Sequence, residues 1–283
     1  MKQRYDPARH SIMFVVLAFA SSWICWVPVA AADHGIGFAP STATSLLVLL
    51  GTFGPFCAAA TIVGRTAGLS GLREFLSQAF RWKANPLWYA AALLAPFAIR
   101  MLVISIHVLK GGTFPDLTSL SIWLSIPSTF IIVLLIGGPT GEEFGWRGFL
   151  LQRMQSKIGL VGASLVIGVI AAFWHIPLFF ITGTAQSHLP FALFAVRTLS
   201  LSVIATWLYN GTNRSLLFVL LFHASQNTWP NTLFLLESEG TIGPYISTTI
   251  IYAGWACQLI LMGLVKGHGD RRERREPTAE LAA

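Results

Sequence analysis

About eight long apolar runs, separated by short polar segments, constrain this chain more than any other feature of its sequence. Only 11% of the residues are charged, against about 25% in an ordinary soluble domain. A bilayer core roughly 30 Å thick needs about 20 apolar residues per helix, and the runs approach that length. We therefore predict an all-α fold, a polytopic membrane helical bundle with about eight transmembrane helices. The predicted spans cover residues 11–32, 44–63, 86–109, 122–138, 160–181, 191–209, 215–235 and 245–265.

The chain divides into one large domain and a short tail. We predict a transmembrane domain over residues 1–265, whose motif-bearing core is 139–227, and a basic, disordered cytoplasmic tail at 266–283. Between residues 65 and 85, apolar side chains recur at helical spacing among basic ones, which predicts an amphipathic helix in the headgroup region. A helical connector packed on the bundle is the alternative. The apolar side chains are those of Leu69, Leu72, Leu76 and Phe80.

The distribution of lysine and arginine predicts the orientation of the bundle. If the N-terminus is cytoplasmic and eight helices cross, every basic residue except Arg100, Lys110 and Arg197 falls on the cytoplasmic side. Cytoplasmic loops carry such an excess, so we predict a multi-pass protein of the cell (plasma or inner) membrane with both termini cytoplasmic. The basic residues of these loops and tails account for the net charge of +7. We therefore expect contact with the lipid bilayer and none with nucleic acid.

Glu142 and Glu143 are the only acidic residues between Asp116 and Glu237. A carboxylate inside a membrane segment is costly, so such a pair is by default a candidate functional site. Glu143 and Arg147 are four residues apart, share a helix face and can form an ion pair. Glu142 points about 100° away around the helix, and a carboxylate near apolar walls suits a general base.

Three polar residues in later apolar segments can serve the same site. His223 and Asn227 are four residues apart, so they share a helix face, and both can donate hydrogen bonds to a developing oxyanion. His175 could help Glu142 to hold and deprotonate a water molecule. Two histidines and a glutamate are also a familiar set of zinc ligands, so a divalent metal such as zinc, bound by Glu142, His175 and His223, is an alternative. The HExxH spacing of common zinc proteases is absent, so the pattern does not require the metal.

Glycine and proline residues predict where the backbone leaves the helix near these side chains. The run Gly137-Gly138-Pro139 ends the fourth span, and Thr140 is predicted to cap the next helix. The two glutamates would then lie in the first turn of that helix, at the positive end of its dipole. Pro177 should bend or loosen the fifth span beside His175.

Taken together, these motifs resemble the CPBP (CAAX protease and bacteriocin-processing, or Abi) family of intramembrane proteases. That family includes CAAX prenyl endopeptidases, which trim prenylated proteins, and bacterial relatives linked to bacteriocin processing and self-immunity. The resemblance extends from about Pro139 to Asn227. It is carried by Glu142-Glu143-x-x-x-Arg147, by Trp174-His175-Ile176-Pro177 and by His223-x-x-x-Asn227.

The resemblance implies an intramembrane endopeptidase whose substrate is a protein or peptide, prenylated or otherwise anchored in the membrane. It implies that Glu142 and His175 activate the water. Glu143 and Arg147 would organise the site, and His223 and Asn227 would stabilise the oxyanion. The family's second motif commonly has phenylalanine four residues before the histidine, where this chain has Ala171. We interpret this difference as a variation in packing. Metal dependence is left open.

Two other classes of function fit the same residues. Buried glutamate and histidine could bind a proton, a cation or a substrate in a transporter or ion pathway, which inverted repeats would favour. We find no such repeat in the sequence. A non-catalytic bacteriocin-immunity or scaffold protein could also keep the fold and bind a partner.

Overall fold

The computed structural model describes residues 7–37, 44–115, 117–232 and 242–263, and within them it is helical without a strand. A π-helix at Trp146–Leu151 joins α6 to α7, and 3-10 turns at Gln78–Phe80 and Ile176–Phe180 follow α3 and α7. The helices are α1 Pro7–Asp33, α2 Thr44–Thr52, α3 Gly54–Ser77, α4 Pro86–Leu109, α5 Leu120–Ile136, α6 Pro139–Gly145, α7 Gln152–Trp174, α8 Phe191–Gly211, α9 Leu216–Thr232 and α10 Gly243–Leu261.

The predicted all-α membrane bundle is confirmed. Four helical stretches of the described chain are long and apolar enough to cross a bilayer, and α2 with α3 can form a fifth, bent crossing. The four stretches are Ala8–Asp33, Pro86–Leu109, Pro139–Phe180 and Phe191–Gly211. The other predicted spans contain α5, α9 and α10, although α5, with 17 residues, is shorter than a full crossing. The predicted tail at 266–283 and the boundary at 265 lie outside the described residues.

The predicted span at 44–63 is bent rather than straight, because the chain turns by 47° between α2 and α3. Gly54 and Pro55 begin α3 immediately after Phe53. Proline lacks the N–H that would continue the hydrogen-bond ladder of α2. A Cβ at Gly54 would overlap the Ser22 hydroxyl of α1, so only glycine permits this approach. The break therefore lets α3 pack closely on α1.

The segment at 65–85 consists mostly of the second of two helical parts that meet at a kink within α3. Gly68, with a φ of 64°, breaks α3 before this part, which is helical to Ser77. It packs on the bundle through Phe75, whose ring centroid lies 5.4 Å from that of Phe144. Leu69 and Phe80 of the predicted apolar stripe are 83% and 77% exposed. One side of the segment therefore packs on the bundle, as expected for a helical connector. Contact of its exposed side with lipid headgroups stays a prediction.

The short helix α6 lies in the bend between α2 and α3. Two of its glycines allow this contact. A Cβ at Gly141 would overlap the carbonyl oxygen of Thr52, and one at Gly145 would lie 2.7 Å from the carbonyl oxygen of Pro55. Both obstacles are backbone atoms, which cannot swing aside as a flexible side chain can. The glutamates between these glycines are therefore held against the bend at close range.

We predict that Gly145→Ala disrupts the contact between α6 and α3, whereas Gly254→Ala is tolerated. Overpacking of this kind costs about 1–3 kcal/mol. The added methyl at Gly254, on α10, meets no atom within 4 Å. Thermal unfolding of both purified variants in detergent checks the difference, and a Gly145→Ala protein as stable as Gly254→Ala would contradict the described packing.

Candidate active site

The first turn of α6 carries Glu142, whereas Glu143 follows that turn, so the prediction that both lie in it holds for Glu142 alone. The start of the helix also differs from the prediction. Thr140 is not the N-cap. Gly138 precedes the helix with a φ of 114°, and Pro139 occupies the first helical position. Glycine accepts that backbone angle, and proline suits the first helical position because its missing N–H would be unpaired there. The Thr140 hydroxyl instead donates to the carbonyl of Leu134, 2.7 Å away, which ties α6 back to α5.

Glu143 is buried, and its carboxylate contacts the side chains of Arg147 and His223. Its carboxylate oxygen Oε1 lies 2.7 Å from Nδ1 of His223. One terminal nitrogen of Arg147 lies 2.9 Å from Oε2 and donates a hydrogen bond to Oε1 at 3.1 Å. The side chains of Glu143 and Arg147 are only 4% and 8% exposed. The predicted ion pair is confirmed.

The π-helix that follows α6 positions Arg147. Such helices are rare and occur often at functional sites. The Gln152 side chain, one residue past the π-helix, donates to the carbonyl of Gly148 at 2.7 Å and lies 2.6 Å from the hydroxyl of Tyr209. Tyr209 in turn donates to Oε1 of Gln78 at 2.9 Å. This buried network links the connector, α7 and α8 around the π-helix.

His175 lies at the end of α7, where the chain changes to a 3-10 turn at Ile176. The predicted loosening beside Pro177 is confirmed. Nδ1 of His175 lies 2.7 Å from the carbonyl oxygen of Ala171, so Nδ1 must carry the proton of this bond. In the neutral ring, Nε2 then keeps a free lone pair. Ala171 is buried beneath the imidazole, at the position where the family commonly has phenylalanine.

The residue before His175 is fixed by contacts that the sequence analysis missed. The indole N–H of Trp174 donates to the Ser22 hydroxyl at 2.8 Å, and that hydroxyl donates to the carbonyl of Gly51 at 2.7 Å. The indole N–H of Trp23 donates to the carbonyl of Trp174 at 2.9 Å. Ser22 therefore connects the end of α7 with α2. The only sequence signal for it was a serine inside an otherwise apolar span.

Glu142 and His223 border one space beside Gly138. A Cβ at Gly138 would lie 3.0 Å from Oε1 of Glu142 and 4.0 Å from Nε2 of His223. Glu142 also interacts electrostatically with both imidazoles. Asn227 lies one turn after His223 on α9. The structure thus brings Glu142 of α6 and His223 of α9 near one another beside Gly138, and the catalytic roles of the site residues stay predictions.

The donor set gives limited support to a metal ion. Both imidazoles use Nδ1 in other contacts, to Ala171 and to Glu143, which is how histidine ligands are commonly oriented. However, no three histidine, cysteine or acidic side chains of the described residues lie together closely enough to hold a metal. The side chains as placed therefore do not form the predicted ligand set of Glu142, His175 and His223.

Comparison with known proteins supports the resemblance found in the sequence. Residues 123–229, which include every motif above, match the model of the type II CAAX prenyl endopeptidase Rce1-like family. This match supports the resemblance of the motif-bearing part of the chain to the CPBP family. It is also 24% identical over 229 residues to CAAX prenyl protease 2 of Methanococcus maripaludis, an alignment that covers 78% of this chain and 82% of the relative. The family is one of membrane peptidases, which agrees with the helical bundle.

We predict that Arg147→Met destabilises the protein much more than Glu142→Gln. Removing one partner of a buried ion pair costs about 3–5 kcal/mol, because the other charge is left uncompensated. Glu142 has no such partner among the described residues, so its substitution should change the free energy of unfolding little. Thermal unfolding in detergent measures both effects. Equal stability of Arg147→Met and the wild type would contradict the role of the pair.

Proposed function

We propose that this protein is an intramembrane endopeptidase of the CAAX prenyl protease type, in which Glu142 and His175 activate the attacking water. The supporting observation is that the two adjacent glutamates have different surroundings. Glu143 is engaged by Arg147 and His223, whereas Glu142 lies beside Gly138 near Nε2 of His223 and has no ion pair among the described residues. A carboxylate in that position is available as a base. Glu143 and Arg147 organise the site without taking a proton from substrate.

The reaction begins when Glu142 accepts a proton from the water that attacks the peptide carbonyl. His175 orients this water through the lone pair on Nε2, which its bond to Ala171 leaves free. Attack converts the carbonyl into a tetrahedral intermediate with a negatively charged oxygen. Glu142 then returns the proton to the leaving amine, and the carbon–nitrogen bond breaks.

His223 and Asn227 stabilise the negative oxygen of that intermediate. Asn227 donates from its amide nitrogen, and His223 donates from Nε2. For His223 to donate there while Nδ1 donates to Glu143, its ring must carry both protons. The Glu143 carboxylate, 2.7 Å away, stabilises that cation. The buried glutamate thus supports the oxyanion site through His223.

The substrate is a protein or peptide, and a prenylated or membrane-anchored end suits a site between membrane helices. This choice is supported by the family that the chain matches and by the name of its archaeal relative. The excess of basic residues on one side favours a multi-pass arrangement in the cell (plasma or inner) membrane with both termini cytoplasmic. The site would then be reached from the cytoplasmic leaflet.

We predict that Glu142→Gln lowers cleavage at least about 100-fold, because general base catalysis contributes 10²–10⁴-fold. Cleavage is measured with fluorogenic peptides, prenylated and unmodified, on purified protein in detergent with and without a chelator. Glu74→Gln is the matched control, since Glu74 is an exposed acid whose only described ion pair is with Arg81. Wild-type cleavage by Glu142→Gln would contradict the mechanism. Failure of the wild type to cleave any peptide would favour a transporter or a scaffold.

A further inference from the structure

The chain between α3 and α4 presents aromatic and basic side chains together on the surface. Phe80 and Trp82 are 77% and 63% exposed, and Arg81 and Lys83 beside them are exposed as well. Nζ of Lys83 lies 5.8 Å from the ring centre of Trp82, so these two side chains extend over the same part of the surface. Exposed aromatic rings among cations are typical of segments that lie at the level of lipid headgroups.

The backbone of this stretch is held in place, although its side chains are exposed. The hydroxyl of Tyr89, on α4, donates to the carbonyl of Trp82 at 2.7 Å. The hydroxyl of Ser215, which directly precedes α9, donates to the carbonyl of Arg81 at 2.6 Å. Because neighbouring carbonyls are bonded to two different helices, the exposed indole is presented in a constant position.

The turn between α8 and α9 adds a further cation to this surface. Asn213 and Arg214 have φ angles of 56° and 60°, which non-glycine residues seldom adopt. The Arg214 N–H donates to the carbonyl of Tyr209 at 2.8 Å and so stabilises the turn. Since the next residue, Ser215, is bonded to Arg81, the turn brings the exposed Arg214 close to the aromatic stretch.

The charge of this surface is positive. Arg81 pairs with the exposed Glu74 at 2.5 Å, which compensates one of the three cations. Lys83 and Arg214 form no ion pair with an acidic side chain in the part of the chain that the structure describes. Two uncompensated cations beside two exposed aromatic rings complement a lipid whose headgroup carries a net negative charge.

We propose that residues 80–83 and Arg214 form a binding surface for anionic phospholipids, with Phe80 and Trp82 at the upper acyl chains and the cations at the headgroup. The predicted topology places this surface at the cytoplasmic leaflet, where anionic lipids attract basic segments. The inference does not depend on the proposed peptidase function. Through Ser215, the bound lipid would also support the beginning of α9, the helix that carries His223.

The test counts bound lipids by native mass spectrometry of the purified protein in detergent, titrated with phosphatidylglycerol or with phosphatidylcholine of the same acyl chains. The test variant combines Lys83→Gln with Arg214→Asn, since asparagine accepts a left-handed backbone angle. The control combines Lys110→Gln with Lys157→Gln, which removes the same charge from exposed sites elsewhere.

We expect the wild type to bind phosphatidylglycerol more tightly than phosphatidylcholine. One basic residue near an anionic headgroup contributes about fivefold to binding, so the test variant should bind phosphatidylglycerol roughly 30-fold more weakly. Its binding of phosphatidylcholine should not change, and the control should bind both lipids as the wild type does. If the test variant does not fold, Lys83→Gln alone should weaken phosphatidylglycerol binding about fivefold.

Each other outcome overturns the inference in a recognisable way. Equal binding of the two lipids by the wild type would show that the surface does not recognise negative headgroups. An unchanged preference in the test variant would place the lipid elsewhere on the protein. An equal loss in the control would assign the effect to the net charge of the protein. Equal weakening of both lipids by the test variant would show that the cations do not act on the headgroup charge.

Discussion

The candidate site depends on how a buried carboxylate is compensated. Glu143 is almost fully buried, and a negative charge there would be very costly without close partners. Arg147 and His223 supply them at 2.9 and 2.7 Å. Because the partners come from the π-helix and from α9, the same contacts fix those elements relative to α6. Compensation of one charge therefore also fixes α6, and with it Glu142, relative to His223 on α9.

The helices around Glu143 and Arg147 support this ion pair through close contacts. The bend between α2 and α3 receives α6 through backbone contacts at Gly141 and Gly145. Ser22 extends from α1 to the same region and binds the indole of Trp174, next to His175. The end of α7 and the start of α6 thus share a common support. A small shift of α1 would move both parts of the site together.

The sequence predicted the parts of this structure that depend on local rules. Helical spacing predicted the Glu143–Arg147 pair, and Pro177 predicted the end of α7 near His175. The bend at Phe53 was not predicted, because the apolar residues on both sides of it resemble one continuous span in the sequence. Thr140 was wrongly expected to cap α6, because the preference for threonine at caps was outweighed by Gly138 and Pro139. Contacts between distant segments have no periodic signal, and so the role of Ser22 was not predictable.

The most direct test of the account is the protonation of the His223 ring, read from ¹⁵N magic-angle-spinning spectra of histidine-labelled protein. A His223→Gln sample identifies its signals. We expect Nδ1 to carry a proton in a strong hydrogen bond, and this signal should shift when Glu143 is replaced by glutamine. An unprotonated Nδ1, or a spectrum unchanged by that replacement, would contradict the claim that Glu143 holds His223 and organises the site.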